Sequence, residues 1–298
     1  MSSFFFSLRA YMYIIRYMRK LLACDLDGTL FYPRQWTRCI SKRNVKFLRE
    51  WIDAGNKVVL ITSRSTEFVK RLEKEIQRPF DLMSCTSAET FIDGKRVKQT
   101  WMPNEELQNV FWKIDEKYKP LGYLLTSEGH PCVAYNSKRA RWFFYTFYHL
   151  WYYFQLKYRE PCEVSNEIFL DQLKNGKVYK LMTFFGMGKS KGTLSKEINK
   201  ELRENFPQIE SSWSLIVNEL TPKGCNKGEG LEQYCEIAGF KPEDVYVIGD
   251  SGNDIAMFQK FYEHSYCMAH AYPSVKKYAK HTVTRVYKLD KLVLKGEK

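Results

Sequence analysis

The chain has 298 residues, of which 44% are hydrophobic and 27% are charged. These proportions exclude a disordered chain, a collagen or a fibrous repeat as its main body. The 47 lysines and arginines outnumber the 34 aspartates and glutamates, so the formal net charge is +13. A basic surplus suits a phosphorylated small molecule as well as nucleic acid or an anionic membrane. No nucleic-acid partner is expected, because the sequence has no recognition motif in which basic and aromatic residues alternate.

The amino-terminal segment MSSFFFSLRAYMYIIRYMRK is aromatic but is interrupted by Arg9, Arg16 and Arg19. These charges argue against a transmembrane segment, and no small-residue cleavage site follows. Translation is therefore expected to begin at Met18, which makes residues 1–17 a dispensable extension outside the fold, with a basic helix on anionic lipid as the alternative. Eight cysteines without a CxxC pair indicate neither a zinc ribbon nor a disulfide framework, which favours a cytoplasmic location.

From residue 18 onward, short apolar runs typical of buried strands alternate with amphipathic helical segments. Strands are predicted at LLACD, at KVVLITS (57–63) and at FDLMSC (80–85). The helices between them are a segment capped by Ser41 and ended by Gly55, and EFVKRLEKEI (67–76). This alternation predicts a parallel sheet with helices on both faces, which is the doubly wound α/β class.

The same alternation returns near the carboxyl end, with a helix over 225–239, the strand VYVIGD (245–250) and a further helix from NDIAMFQKF. Between the two parts, YLLTSEGHPCVAYN (123–136) and KVYKLMTFFG (177–186) alternate polar with apolar residues, as antiparallel strands do. The sequence therefore predicts a core domain of residues 18–86 and 217–298. An α+β domain of residues 87–216 is predicted to be inserted into it.

Carboxylates follow two of the predicted parallel strands. Asp25 and Asp27 end the first strand, and Asp250 and Asp254 follow VYVIG. Because the carboxyl ends of parallel strands meet at one edge of the sheet, the four acids are expected in one crevice. Four carboxylates would repel one another unless a cation lies between them, and an all-oxygen ligand set favours Mg²⁺.

Donors for an anionic group are predicted at the same edge. Lys227 begins a helix beside Gly228, and Thr62, Ser63 and Arg64 follow the second strand with hydroxyl and N–H groups. Each of these residues, taken singly, is more typical of a turn or a helix cap. Their convergence on the acids is what indicates a site.

Four segments resemble, in order, the motifs of the haloacid dehalogenase (HAD) superfamily: DLDGTL (25–30), the strand ending in Thr62, NKG (226–228) and GDSGNDIAMF (249–258). They closely resemble its Cof-type phosphatase branch, HAD-IIB, and SAETFIDGK is similar to the start of a cap domain of that branch. The resemblance implies a Rossmann-like core with an inserted α+β cap of the C2B type, which supplies much of the substrate selection.

The resemblance also implies the roles of the acids. Asp25 would attack phosphorus to form an aspartyl-phosphate, and Asp27 would protonate the leaving alcohol and then activate water. Mg²⁺ would bind a side-chain oxygen of Asp25, the backbone carbonyl of Asp27 and a carboxylate oxygen of Asp250. Asp254 would not bind the metal directly but would orient metal-bound waters or Lys227.

By the same resemblance, the transferring phosphoryl group would be held by Thr62, Ser63, Lys227 and Asn253. Two positions depart from the usual pattern of the branch. Ser63 replaces a common glycine, and AHAY (269–272) stands where a Gly-Asn-Ala turn is usual.

The function implied is a Mg²⁺-dependent phosphatase of a small metabolite, such as a sugar phosphate, a phosphorylated cofactor or a nucleotide-like compound. The alternatives are a phosphomutase of the same superfamily and a non-catalytic basic module. Intact Asp25, Asp27, Lys227 and Asp250 argue against the module, which has no need of an acid cluster. The aromatic segment 141–159 is expected to pack in the cap or to form a homodimer through it.

Overall fold

The computed structural model describes residues 19–136, 160, 162–185, 189–214 and 217–290. The predicted extension 1–17, the aromatic segment 141–159 and the last eight residues of the predicted core lie outside these ranges. None of the helices within the described ranges is both long and apolar enough to cross a membrane.

The described strands form two sheets. In chain order they are β1 (Leu21–Asp25), β2 (Lys57–Ile61), β3 (Asp81–Ser84), β4 (Glu89–Ile92), β5 (Lys95–Gln99), β6 (Gly122–Ser127), β7 (His130–Asn136), β8 (Glu163–Val164), β9 (Val178–Phe184), β10 (Ile209–Ser214), β11 (Val217–Pro222), β12 (Val245–Gly249), β13 (Ser265–Met268) and β14 (His281–Val283).

The α-helices connect and cover these sheets. They are α1 (Lys42–Asp53), α2 (Thr66–Ile76), α3 (Asn104–Tyr118), α4 (Asn166–Asn175), α5 (Lys189–Asn205), α6 (Lys227–Ala238), α7 (Ile255–Lys260) and α8 (Pro273–Lys276). The predicted caps are present: the Ser41 hydroxyl accepts a hydrogen bond from the backbone N–H of Asn44, and Gly239 follows α6 with a φ of 74°.

The first sheet has the order β14-β13-β12-β1-β2-β3-β4-β5. Its strands from β14 to β3 are parallel, because β1 pairs in parallel with both β2 and β12, and the outer pairs continue the pattern. Apolar residues of α1 and α2 pack on one face, and those of α6 and α7 pack on the other. The prediction of a doubly wound α/β core is confirmed.

The second sheet, of order β10-β11-β9-β6-β7-β8, is antiparallel except at its β7-β8 pair. Leu181 of β9 and Leu220 of β11 share an apolar core with Phe111 of α3 and Phe169 of α4. The opposite face of this sheet is turned toward the parallel sheet, as shown by a hydrogen bond from Lys180 to the Ser63 carbonyl. The predicted α+β cap is thus present, with helices on its outer face.

The residues at which the chain passes from one sheet to the other differ from the domain boundaries predicted from the sequence. β4 and β5 (89–99) extend the first sheet as antiparallel strands, although they fall in the predicted insert 87–216. β11 (217–222) belongs to the second sheet, although it falls in the predicted core. Alternating polarity marks an antiparallel strand but does not say which sheet it joins, so we propose boundaries at residues 99/100 and 222/223.

These boundaries predict that the cap can be removed. The Thr100 N–H donates to the Ala88 carbonyl at 2.8 Å, and Ala88 packs with Cys225, so the two connections lie close together. Replacing residues 100–222 by a short Gly/Ser linker should leave a core that unfolds cooperatively in a circular-dichroism melt. Removing 87–216 instead should abolish the transition, because it deletes β4 and β5 and leaves β11 unpaired. Equal behaviour of the two deletions would contradict the boundaries.

Candidate active site

A buried ammonium group lies at the centre of the predicted crevice. Lys227 Nζ donates to Asp25 Oδ1 and to Asp254 Oδ1, both at 2.6 Å. The preceding residue, Asn226, caps α6 by accepting from the N–H groups of Gly228 and Glu229, which fixes where Lys227 leaves the helix. Lys227 and Asp254 are fully buried and Asp25 is 5% exposed. Residues 202 positions apart are thus held in one ion-pair network.

Asp254 holds the loop after β12 through hydrogen bonds to its backbone. Its second oxygen, Oδ2, accepts hydrogen bonds from the backbone N–H groups of Asp250 (2.9 Å) and Ser251 (2.8 Å). Asp250 is held from the other side, because its Oδ1 accepts from the Thr29 hydroxyl at 3.0 Å. The two strand ends, β1 and β12, are therefore joined through side chains as well as through the sheet.

Three carboxylates form a group that fits a divalent cation. Asp25, Asp250 and Asp254 each offer an oxygen, and these oxygens lie within 4.8 Å of one another. Asp25 Oδ2 is buried, and no donor among the described residues reaches it. A buried carboxylate oxygen without a donor is costly unless a cation binds it. The oxygen set suits Mg²⁺, which prefers carboxylate and water ligands.

Burial is the largest influence on the pKa values of these groups, and the neighbouring charges act beside it. Burial, together with the neighbouring carboxylates, raises the pKa of Asp25 well above its usual value despite the opposing effect of Lys227. Burial and then Asp254 raise the pKa of Asp250 to about 7. Burial alone would lower the pKa of Lys227, but Asp25 and Asp254 raise it. The repulsion among the carboxylates, which contributes to these shifts, would be relieved by a bound cation.

Asp27 lies at the rim of the crevice and is paired with Arg64. The guanidinium donates two hydrogen bonds to the Asp27 carboxylate, at 2.6 and 2.7 Å. The guanidinium carbon also lies 4.1 Å from the ring centroid of Phe68, and one of its nitrogens lies 3.9 Å from Glu160. Both oxygens of Asp27 are therefore engaged, and their orientation is set by Arg64.

The predicted phosphate-binding residues lie on two loops of the same edge. Thr62 is buried directly after β2, and its hydroxyl accepts from the backbone N–H of Arg64 at 3.1 Å. Ser63 is partly exposed next to it. Asn253 lies after β12, where its Oδ1 accepts from the Ser251 hydroxyl at 2.7 Å. Of the predicted site residues, Asp25, Asp254, Lys227 and Asp250 are linked directly by hydrogen bonds.

Several contacting residues were missed by the sequence interpretation. Thr29 lies within the first motif, but its hydroxyl contact with Asp250 depends on the β1-β12 pairing. His270 Nε2 lies 3.7 Å from Asp250 Oδ2, and its ring lies 4.0 Å from that of Tyr32. The sequence analysis noted that residues 269–272 differ from the usual Gly-Asn-Ala turn, but this difference did not indicate that His270 lies near Asp250.

Gly28 provides a test of how tightly the acids are packed. Its φ is 81°, and a Cβ atom added there would lie 2.3 Å from Asp250 Oδ2. Gly28→Ala should lower the free energy of unfolding by about 2–4 kcal/mol, from left-handed strain plus displacement of Asp250, and should weaken Mg²⁺ binding measured by calorimetry. Gly94→Ala is the matched control, because Gly94 has a φ of 75° and nothing within 4 Å. Equal losses in both variants would show that Asp250 is free to move.

The sequence profile of the haloacid dehalogenase-like hydrolases matches residues 22–290. The 5-amino-6-(5-phospho-D-ribitylamino)uracil phosphatase of Bacillus subtilis is 25% identical over 271 residues, covering 80% of this chain and 84% of that protein. A putative phosphatase of Mycoplasma genitalium is 27% identical over 280 residues, covering 89% and 91% of the two chains.

Solved structures share the fold. A haloacid dehalogenase-like hydrolase from B. subtilis aligns with a TM-score of 0.74 and 17% identity, covering 92% of this chain and 99% of that one. A HAD subclass IIB sugar phosphatase aligns with a TM-score of 0.71 and 20% identity, covering 91% and 98%. The family match and the phosphatase relatives confirm the prediction of a phosphatase. The chain belongs to the haloacid dehalogenase-like hydrolases, in their Cof-type phosphatase branch.

Proposed function

We propose that the protein is a Mg²⁺-dependent phosphatase that hydrolyses a small phosphorylated metabolite through an aspartyl-phosphate intermediate. The observation that carries the proposal is the state of Asp25. Lys227 holds one of its oxygens at 2.6 Å, while the other, Oδ2, is buried and has no described hydrogen-bond donor. A carboxylate oriented in this way has an oxygen available for a cation and is fixed in position for attack on phosphorus.

In this proposal the chain divides the reaction between two acids. Asp25 attacks phosphorus, and the bond from phosphorus to the leaving oxygen breaks as Asp27 gives that oxygen a proton. Asp27 then takes a proton from the water that attacks the aspartyl-phosphate, which releases phosphate and restores Asp25. Because Arg64 engages both Asp27 oxygens, it has to release one of them before Asp27 can reach the leaving group.

The remaining residues bind and orient. Thr62, Ser63, Asn253 and Lys227 would hold the phosphoryl oxygens, whose charge is the main quantity to be stabilised. Asp25, the backbone carbonyl of Asp27 and Asp250 would bind Mg²⁺, and Asp254 would hold Lys227 and the loop after β12 in place. When bound, the cation supplies charge neutralisation for the phosphoryl oxygens.

The substrate class is supported by the relatives. The names of two of them describe a phosphatase of a ribitylamino-uracil phosphate and a sugar phosphatase, so their substrates carry hydroxyl-rich leaving groups. We extend the same class to this chain: a sugar phosphate, a phosphorylated cofactor or a nucleotide-like compound. A cytoplasmic location and a homodimer through the cap stay predictions.

The first test is the nucleophile. Asp25→Asn should lower kcat on p-nitrophenyl phosphate by at least about 10³-fold, because the amide keeps the volume but neither attacks phosphorus nor binds Mg²⁺ as a carboxylate does. Asp53→Asn, at an exposed pair with Arg78, is the matched control and should keep the wild-type rate. Substantial turnover by Asp25→Asn would refute the covalent mechanism. Phosphate transfer to a second hydroxyl in place of water would identify a phosphomutase.

The second test is the metal. Removal of divalent ions by a chelator should abolish turnover, and Mg²⁺ should restore it, with Mn²⁺ a plausible substitute and Ca²⁺ a poor one because Ca²⁺ prefers a higher coordination number. Asp250→Asn should raise the Mg²⁺ concentration needed for half-maximal rate by at least about tenfold. Full activity in excess chelator would exclude the metal requirement.

A further inference from the structure

Two charged side chains of the cap meet the core beside the proposed phosphate site. Lys180 of β9 and Glu219 of β11 are 6% and 7% exposed. Their chain neighbours Leu181 and Leu220 point into the cap core, so Lys180 and Glu219 lie on the opposite face, toward the parallel sheet. Glu219 pairs in register with Met182, which makes it a diagonal neighbour of Lys180 on that face.

Both side chains contact groups that flank Thr62. Lys180 Nζ donates to the carbonyl of Ser63, the residue after Thr62. Glu219 Oε1 accepts from the Thr86 hydroxyl at 3.0 Å, and the Thr86 backbone N–H donates to the Thr62 carbonyl at 2.9 Å. A phosphoryl group held at Thr62 would therefore place its leaving group beneath these two cap residues.

Lys180 and Glu219 have hydrogen-bond donors and acceptors that no described residue fills. An ammonium group has three donors, and the Ser63 carbonyl is the one acceptor that the described residues provide to Lys180. Glu219 Oε2 has no donor among the same residues, whereas Oε1 is bound by Thr86. A hydroxyl of a bound ligand could therefore pair with either side chain without displacing a hydrogen bond already made by the described residues.

The charges around Lys180 restrict the kind of ligand. Burial would lower the pKa of Lys180, but Glu219 and Glu160 raise it, so the ammonium keeps its charge. Glu160 itself accepts from the Ser65 N–H at 3.0 Å and from the Ser65 hydroxyl at 2.7 Å. Two cations, Lys180 and Arg64, face the three carboxylates of Glu219, Glu160 and Asp27, which leaves no positive surplus for a second anionic group. Neutral hydroxyls, which both accept and donate, match the open donors of Lys180 and the open oxygen of Glu219.

We infer that Lys180 and Glu219 select a neutral, hydroxyl-rich leaving group. Lys180 donates to one hydroxyl oxygen of the leaving alcohol, and another hydroxyl donates to Glu219 Oε2. This assignment rests on the proposed function, because it concerns the leaving-group side of the same site. It makes Lys180 and Glu219 specificity residues that act on the alcohol rather than on phosphorus.

The test compares substrates that differ in the leaving group. Specificity constants are measured for ribitol 5-phosphate, for p-nitrophenyl phosphate, which has no hydroxyl on its leaving group, and for 3-phosphoglycerate, which carries a carboxylate. Wild type should prefer ribitol 5-phosphate to 3-phosphoglycerate. Lys180→Met should reduce the ratio of kcat/KM for ribitol 5-phosphate over p-nitrophenyl phosphate by about 10- to 100-fold, the range for a lost hydrogen bond to a charged group.

Two further variants keep the test decisive. Lys200→Met removes an exposed lysine of α5 that lies 4.0 Å from Glu204, and it should leave the ratio unchanged. Glu219→Gln replaces an acceptor oxygen by a donor, so it should lower the same ratio even if Lys180→Met does not fold. Equal losses on both substrates in folded Lys180→Met and Glu219→Gln would mean that the residues only dock the cap. That outcome, or a preference for 3-phosphoglycerate, would overturn the inference.

A binding measurement separates this inference from the proposed function. Absence of turnover on every ester would refute the phosphatase proposal. The specificity inference is tested separately, by calorimetric binding of ribitol 5-phosphate and of propyl phosphate to full-length Asp25→Asn, which requires no turnover. Ribitol 5-phosphate should bind at least about tenfold more tightly, and the added Lys180→Met substitution should bring the two dissociation constants to within about threefold. Equal affinities before that substitution would refute the specificity role.

Discussion

The buried ammonium of Lys227 is the group on which the arrangement of the site depends. It bonds Asp25 at the end of β1 and Asp254 in the loop after β12, and all three side chains are removed from solvent. Loss of the ammonium would leave two buried carboxylates uncompensated, which costs about 3–5 kcal/mol for a broken buried pair. Since Asp254 also holds the backbone of Asp250, one lysine orders acids on two strands.

A second network connects the cap to the edge of the parallel sheet that carries the acids. The segment 62–65 after β2 is contacted from both sides: Arg64 binds Asp27, Ser65 binds Glu160, and the Ser63 carbonyl accepts from Lys180. An apolar contact of Tyr179 with Cys85, Ala88 and Cys225 supports the same junction. One nitrogen of the Arg64 guanidinium also lies 3.9 Å from Glu160, so a single side chain contacts both Asp27 and the cap.

Much of the fold was predictable because its signals are local. The sequences of β1 and β2 are mostly apolar, as is typical of strands covered on both faces. Ser41 and Gly239 each act only on the helix end next to them, so their effect can be read from the neighbouring residues. The domain boundaries were not predictable in the same way. β4 joins the core by pairing with β3, and β11 joins the cap by pairing with β9, and neither segment carries a sequence signal for the sheet that it enters.

The acids that could converge were identifiable from the sequence, because Asp25, Asp27, Asp250 and Asp254 each follow a predicted parallel strand and such strands end at one edge. The partners of these acids depend on the tertiary structure. In the folded chain Lys227 pairs with Asp25 and Asp254. Arg64 pairs with Asp27, and the Thr29 hydroxyl donates to Asp250. The tertiary structure also sets Lys180 and Glu219 above Thr62. Side chains on different sheets meet only after the cap docks on the core, and no local pattern encodes that contact.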